Sequence, residues 1–230
     1  MLENYPPQEV FTGSTFSVTA RLENNGAYDL FNGKVELLGF DFTYIQLFDN
    51  PAIKNFPSGS SRLEGKNLEN PSGDMEFVEF SGDILSMKEG VEEYPVTFFI
   101  KVTYDYSNEL VHTVCINPSP YQSYSSGCTV QSSTSFHGQG SPVAITKVEQ
   151  IISSGYDSEA RFIIKIANKG NGQIKSLRLM EASLGSEGLD CQFRNFEGNT
   201  LIFEENIDEL NLVCEKSISS TNSYETTMYV

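Results

Sequence analysis

Residues 16–26 read Phe-Ser-Val-Thr-Ala-Arg-Leu-Glu-Asn-Asn-Gly, and residues 160–170 read Ala-Arg-Phe-Ile-Ile-Lys-Ile-Ala-Asn-Lys-Gly. In the first, Phe16, Val18, Ala20 and Leu22 alternate with Ser17, Thr19 and Arg21. In the second, Ala160, Phe162, Ile164 and Ile166 alternate with Arg161, Ile163, Lys165 and Ala167. Side chains of a strand point alternately to opposite faces, so this period of two predicts strands with one apolar face. Both runs stop at Asn-x-Gly, a turn signal because Asn and Gly tolerate positive φ.

The same alternation recurs at Val96, Phe98, Ile100, Val102 and Tyr104. Further strands are expected at 35–40, 42–47, 75–80, 110–116 and 143–148, with residues 106–109 as a hairpin connection between two of them. Residues 48–71, rich in Pro, Gly, Ser and Asn, read as a long loop with at most a short strand or turn. No stretch carries a sustained helical stripe.

The two halves repeat further landmarks in the same order. Leu63-Glu64-Gly65-Lys66 is similar to Phe196-Glu197-Gly198-Asn199, and Tyr94-x-x-x-Phe98-x-Ile100 to Tyr224-x-x-x-Met228-x-Val230. Ordered landmarks of this kind point to duplication. The expected fold is all-β: two tandem immunoglobulin-like antiparallel β-sandwich domains, 1–139 and 140–230. The hinge is Gly138-Gln139-Gly140-Ser141-Pro142, after a Ser-rich tail. The last residues, Tyr224 to Val230, read as a strand interrupted in mid-run. On that reading the second domain lacks its final strand, and Tyr224, Met228 and Val230 mark an open edge for strand addition.

Four cysteines allow three connectivities. The sequence-local pairs, Cys115 with Cys128 and Cys191 with Cys214, each fall inside one expected domain and are the favoured bridges; reduced, buried thiols are the competing reading. Disulfides imply an oxidising compartment, hence an extracellular or cell-surface setting. The first residues, Met1 to Pro7, have neither a basic n-region nor an apolar h-region, so the expectation is that the numbered chain starts after a processed leader or is an expression fragment.

Charge narrows the partners. The 230 residues hold 15 Lys and Arg against 31 Asp and Glu, a net charge of −16. Such a chain is repelled by phosphate backbones and anionic lipids, so no nucleic-acid partner is expected. No segment approaches eighteen consecutive apolar residues, so no direct membrane insertion is expected.

A strand ending in Leu-x-Asn-x-Gly, as at Leu22–Gly26 and in the Ile form at Ile166–Gly170, resembles the CARDB-like and S-layer-associated immunoglobulin-like domains of archaeal surface proteins. The run Cys115-Ile116-Asn117-Pro118-Ser119-Pro120-Tyr121, then Cys128, then residues 138–145, is similar to a tandem pattern in such proteins. The resemblance implies extracellular, repeated, adhesive or scaffold modules, and it transfers no catalytic residue.

Chemistry has few candidates. His112 lies in a strand pattern and His137 in the linker, neither within a hydrolase signature, and the many acids read as solvated faces. Glu204 to Glu209 is the strongest calcium candidate, but it lacks the D-x-[DN]-x-[DN]-G loop. We therefore expect no enzyme activity, no cofactor and no metal. The remaining candidates are the aromatics Tyr121, Tyr124 and Phe136 among Ser and Gly, a composition suited to adaptable ligand-contact loops. The expected role is a structural or interaction module of a cell-surface or filament-forming protein, whose partner is protein (self-assembly or other surface proteins). The alternative is a secreted module that binds glycans or a protein ligand.

Overall fold

Antiparallel strands make up the regular structure of the computed structural model, which describes residues 7–49, 51–118, 127–154, 158–196, 198–220 and 222–230. No helix occurs among them. The chain divides into two compact units, Met1–Ser107 and Asn108–Val230.

In the first unit, β1 (Thr15–Glu23), β2 (Leu30–Leu38), β3 (Ile45–Leu47), β4 (Ile53–Phe56), β5 (Met75–Ile84) and β6 (Phe99–Tyr106) form two sheets, ordered β1-β5-β3 and β4-β2-β6. Phe16 and Val18 of β1 and Val78 and Phe80 of β5 share one core with Val35 and Leu37 of β2 and Phe56 of β4. In β1, β2 and β5 burial follows the alternation because only one face of each sheet meets the other, whereas β6, whose alternation predicts one apolar face, is exposed on both. β2 approaches Phe56 so closely that a Cβ on Gly33 would collide with its ring.

The second unit contains β7 (Val111–Ile116), β8 (Ser133–Ser135), β9 (Val143–Ser153), β10 (Ser158–Asn168), β11 (Ser176–Arg178), β12 (Ser183–Leu184), β13 (Glu187–Gly188), β14 (Asp190–Phe193), β15 (Thr200–Ile202), β16 (Glu209–Ile218) and β17 (Tyr224–Tyr229). Its sheets run β14-β16-β10-β9-β8 and β13-β12-β17-β7, with β11 and β15 as a separate pair. Phe162, Ile164 and Leu212 from the first sheet and Ile116 and Met228 from the second are fully buried in a common core.

The repeated Asn-x-Gly turns are one device used twice. Asn24 Oδ1 accepts from the Gly26 N–H at 3.1 Å, and its Nδ2 donates to the Tyr28 carbonyl at 2.8 Å. Asn168 Oδ1 accepts from the Gly170 N–H at 3.1 Å, and its Nδ2 donates to the Gly172 carbonyl at 2.8 Å. Each asparagine also donates its backbone N–H to the carbonyl of the aspartate preceding the partner strand, Asp74 or Asp208, at 2.9 Å. The side chain thus satisfies backbone groups released where the ladder ends. The pairings β1–β5 and β10–β16 occupy corresponding places, with β3 and β14 on the far side of β5 and β16.

The structure departs from the sequence reading at the junction. The boundary falls at Ser107/Asn108, not at 139/140. Residues 106–109 have the composition of a hairpin, yet the strand they lead into, β7, pairs with β17, six residues for six. Leu110, Val114, Cys115 and Ile116 are buried in the second unit, each large apolar side chain stabilising by roughly 1.5–3 kcal/mol. Asn108 adds hydrogen bonds from Nδ2 to Gln139 Oε1 at 3.1 Å and to the Val143 carbonyl at 3.0 Å.

The expected open edge at Tyr224, Met228 and Val230 is therefore corrected: β17 is an interior strand between β12 and β7. Leu110 and Val230 exchange backbone hydrogen bonds at 2.7 and 3.0 Å, which continues the ladder to Val230. Two strands also start later than their alternation suggests. β3 begins at Ile45 because Asp41 turns the chain, its Oδ1 accepting from the Thr43 N–H at 2.8 Å. β6 begins at Phe99 rather than Val96, where its ladder with β2 begins at Leu38↔Phe99.

Candidate functional site

Two features stand out from the cores: the closure of the second unit by β7, and the margin of the first unit at β6, which no described strand covers. β7 can serve as a closing strand because its apolar residues fit the second core while its backbone supplies the ladder. Both disulfides lie in the second unit. Cys115 joins Cys128, tying β7 to the loop after it, and Cys191 joins Cys214 across the β14–β16 pair, where the two residues stand directly opposite. No described cysteine is free. Disulfides are typical of an oxidising compartment. No helix among the described residues is long and apolar enough to cross a membrane.

Beside β7 lies a hollow of about 170 Å³, lined by His112, Thr113, Gln131, Thr134, Gln150 and Glu225 among others. Gln150 is a buried polar residue; its Nε2 donates to the Cys115 carbonyl at 2.7 Å and so holds β9 to β7. The sequence reading passed over Gln150. Its signal is a polar residue on the inward face of an alternating run, after Val148 and before Ile152. The His112 ring meets Phe136 edge-on, centroids 5.0 Å apart, and burial pushes its pKa below the ordinary 6.5.

Of the expected contact aromatics, Phe136 is half-buried and packs against the second core. Tyr121 and Tyr124 lie outside the described residues. Within 204–209, Glu209 pairs with Lys165 at 2.7 Å, and Asn206 Oδ1 accepts from Asn168 Nδ2 at 3.4 Å. Among the described residues, no three His, Cys, Asp or Glu side chains group as they would for a metal ion.

No family model, curated protein or solved structure matches the chain.

The most exposed long strand is β6, where Phe99, Ile100, Val102 and Tyr104 are 60, 38, 36 and 42% exposed. Its single cation, Lys101, pairs with Glu36 directly across the β2–β6 ladder at 2.9 Å. Asp105, on the same strand, accepts from Asn32 Nδ2 at 2.8 Å.

Proposed function

We propose that the chain is an extracellular structural or interaction module of a cell-surface or filament-forming protein, and that its two units are immunoglobulin-like sandwiches that assemble or adhere through sheet edges and loops. The observation that carries this reading is the margin at β6, where a backbone edge that no described strand covers coincides with a run of exposed large apolar side chains. Exposed strand edges template pairing with other chains, and large apolar patches mark interaction surfaces. The two disulfides support an oxidising, exterior setting. A polar surface with a net charge of −16 is compatible with that setting.

The test is light scattering and electron microscopy of the purified chain over a wide concentration range, with a pull-down against extracellular material. Concentration-dependent assembly, or retention by a surface preparation, supports the reading. A strictly monomeric chain that nothing retains overturns it.

The hollow beside His112 favours a second reading, a module that binds a small hydroxyl-rich ligand such as a glycan terminus. Thr, Gln, His and Glu side chains supply both donors and acceptors there. A glycan array read with wild type and Gln131→Ala is the test. Binding that the substitution weakens several-fold supports this reading, and an array without signal removes it.

A further inference from the structure

We infer that the side of residues 94–106 facing away from β2 is a strand-docking edge, and that its occupant is a β-strand of another polypeptide with the chemistry of Val111–Ile116: predominantly apolar and free of carboxylates. The inference rests on the edge-assembly reading above and names the edge and the kind of partner.

Tyr94-x-x-x-Phe98-x-Ile100 and Tyr224-x-x-x-Met228-x-Val230 carry the same spacing. The structure puts them in corresponding places, since Phe99 pairs with Leu38 of β2 and Tyr229 pairs with Ser183 of β12. In the second unit the far side of this segment is taken by β7, from Tyr224↔Ile116 to Tyr229↔Val111. There it is a regular strand, and Met228 is fully buried. In the first unit the sheet order is β4-β2-β6, with no strand beyond β6 among the described residues. Residues 94–98 there form no strand, although Tyr94 and Tyr224 are equally exposed at 37 and 36%. The same sequence landmark is ordered into a ladder where a strand covers it, and is irregular where none does.

The edge next to it repeats the contrast. β10 carries β9 on the side away from β16, whereas β1 is the terminal strand of its sheet. What the first unit lacks, relative to the second, is thus the pair supplied there by β7 and β9. A docked strand would complete the backbone hydrogen bonds of β6, with alternate side chains entering between its exposed apolar residues.

Charge decides between kinds of occupant. Lys101 is already paired with Glu36, while Glu92, Glu93 and Asp105 are exposed along the same segment. A strand bearing carboxylates would be repelled there, and β7 bears none. A second copy of the chain would bring another net charge of −16, which opposes self-pairing at low ionic strength. A neutral strand from a different polypeptide meets neither obstacle.

The probe is a synthetic peptide of residues 110–117 with Cys115→Ser, acetylated and amidated at its ends so that it carries no carboxylate, added to the intact chain and read by hydrogen exchange. The expected result is at least tenfold slower exchange across 94–106, with the rest of the first unit and residues 224–229 unchanged. A peptide carrying Thr113→Glu and Cys115→Glu instead should lose the effect, as should the chain variants Ile100→Glu and Tyr104→Glu. Both variants alter exposed positions, and unchanged thermal unfolding verifies that they fold. No protection at 94–106 at millimolar peptide overturns the inference. Protection there without peptide, rising with chain concentration, makes the occupant a second copy and also overturns it, while leaving the edge-assembly reading intact. Peptide docking by a chain that no surface material retains and that never assembles would support this inference and count against the broader function alone.

Discussion

Met228 stands directly opposite His112 in the antiparallel ladder between the last strand of the chain and a strand more than a hundred residues upstream, and its side chain is fully buried. That pairing assigns β7 to the second unit. It makes the stability of residues 140–230 depend on residues before Cys128, and it separates the fates of the two units under perturbation.

Ile116 is fully buried in the second core. Ile116→Ala should destabilise the second unit by about 2–4 kcal/mol through lost burial and the cavity left behind. Hydrogen exchange during a urea titration would show earlier opening of β9, β10 and β16, with β1 and β5 unaffected. Earlier opening of β1 and β5 instead would mean that β7 belongs to the first unit.

All four cysteines fall within Asn108–Val230. Reduction should therefore weaken the second unit alone, by about 3 kcal/mol per bridge if loop-closure entropy dominates. Calorimetry with and without reductant is the measurement: the melting of the first unit should stay in place while that of the second falls. Equal shifts in both would contradict this division of the chain.

Asn24 and Asn168 perform the same turn, but Asn24 is more deeply placed and its Nδ2 makes a further bond to the Leu63 carbonyl at 2.9 Å. Asn24→Ala leaves buried backbone groups unpaired and should cost about 2–3 kcal/mol; Asn168→Ala, partly open to water, should cost about 1 kcal/mol. Chemical denaturation of the two variants, each read in its own unit, tests the ranking.

His112 titrates below its ordinary 6.5 because burial disfavours the charged ring. The unfolded chain therefore takes up the proton first as pH falls. The second unit should lose stability from about pH 6.5 downward, until the pH drops below the folded value. Asp41, Glu149 and Glu187 act in a lower window. Their pKa values are depressed by the Thr43 N–H, by Lys147 and by Lys216 respectively, so their contributions vanish only as pH falls below the ordinary 3.8 to 4.5. Urea midpoints of the second unit at pH 7.5 and 5.5 should differ in wild type and converge in His112→Gln. An identical slope in that variant would assign the titration to another group.

Some strands and two of their stops were legible in the residues, whereas β8 and β11 to β16 drew no expectation. Alternation marks β1, β5, β9 and β10 because each buries one face. Asn24 and Asn168 mark strand ends because their side chains complete local hydrogen bonds within four residues. The disulfide pairs were legible because they are local in sequence, although both lie in the second unit and not one in each expected domain. The role of Gln150 was not, because a glutamine gains meaning only when a carbonyl from a distant strand comes within reach.

What sequence alone determined is local: an all-β chain with the same turn twice and two short-range bridges. Period-two burial and turn chemistry act between neighbours, so they are written in neighbouring letters. Tertiary structure alone decided which sheet receives each strand. β7 is a short apolar run that either unit could use, and residues 106–109 would permit a hairpin with β6. Its place beside β17 follows from the side chains that meet across the fold: Ile116 and Val114 fill the second core, and Gln150 reaches the Cys115 carbonyl. Strand register depends on partners far apart in sequence, and for that reason β7 closes this edge of the second unit while no described strand covers β6 in the first.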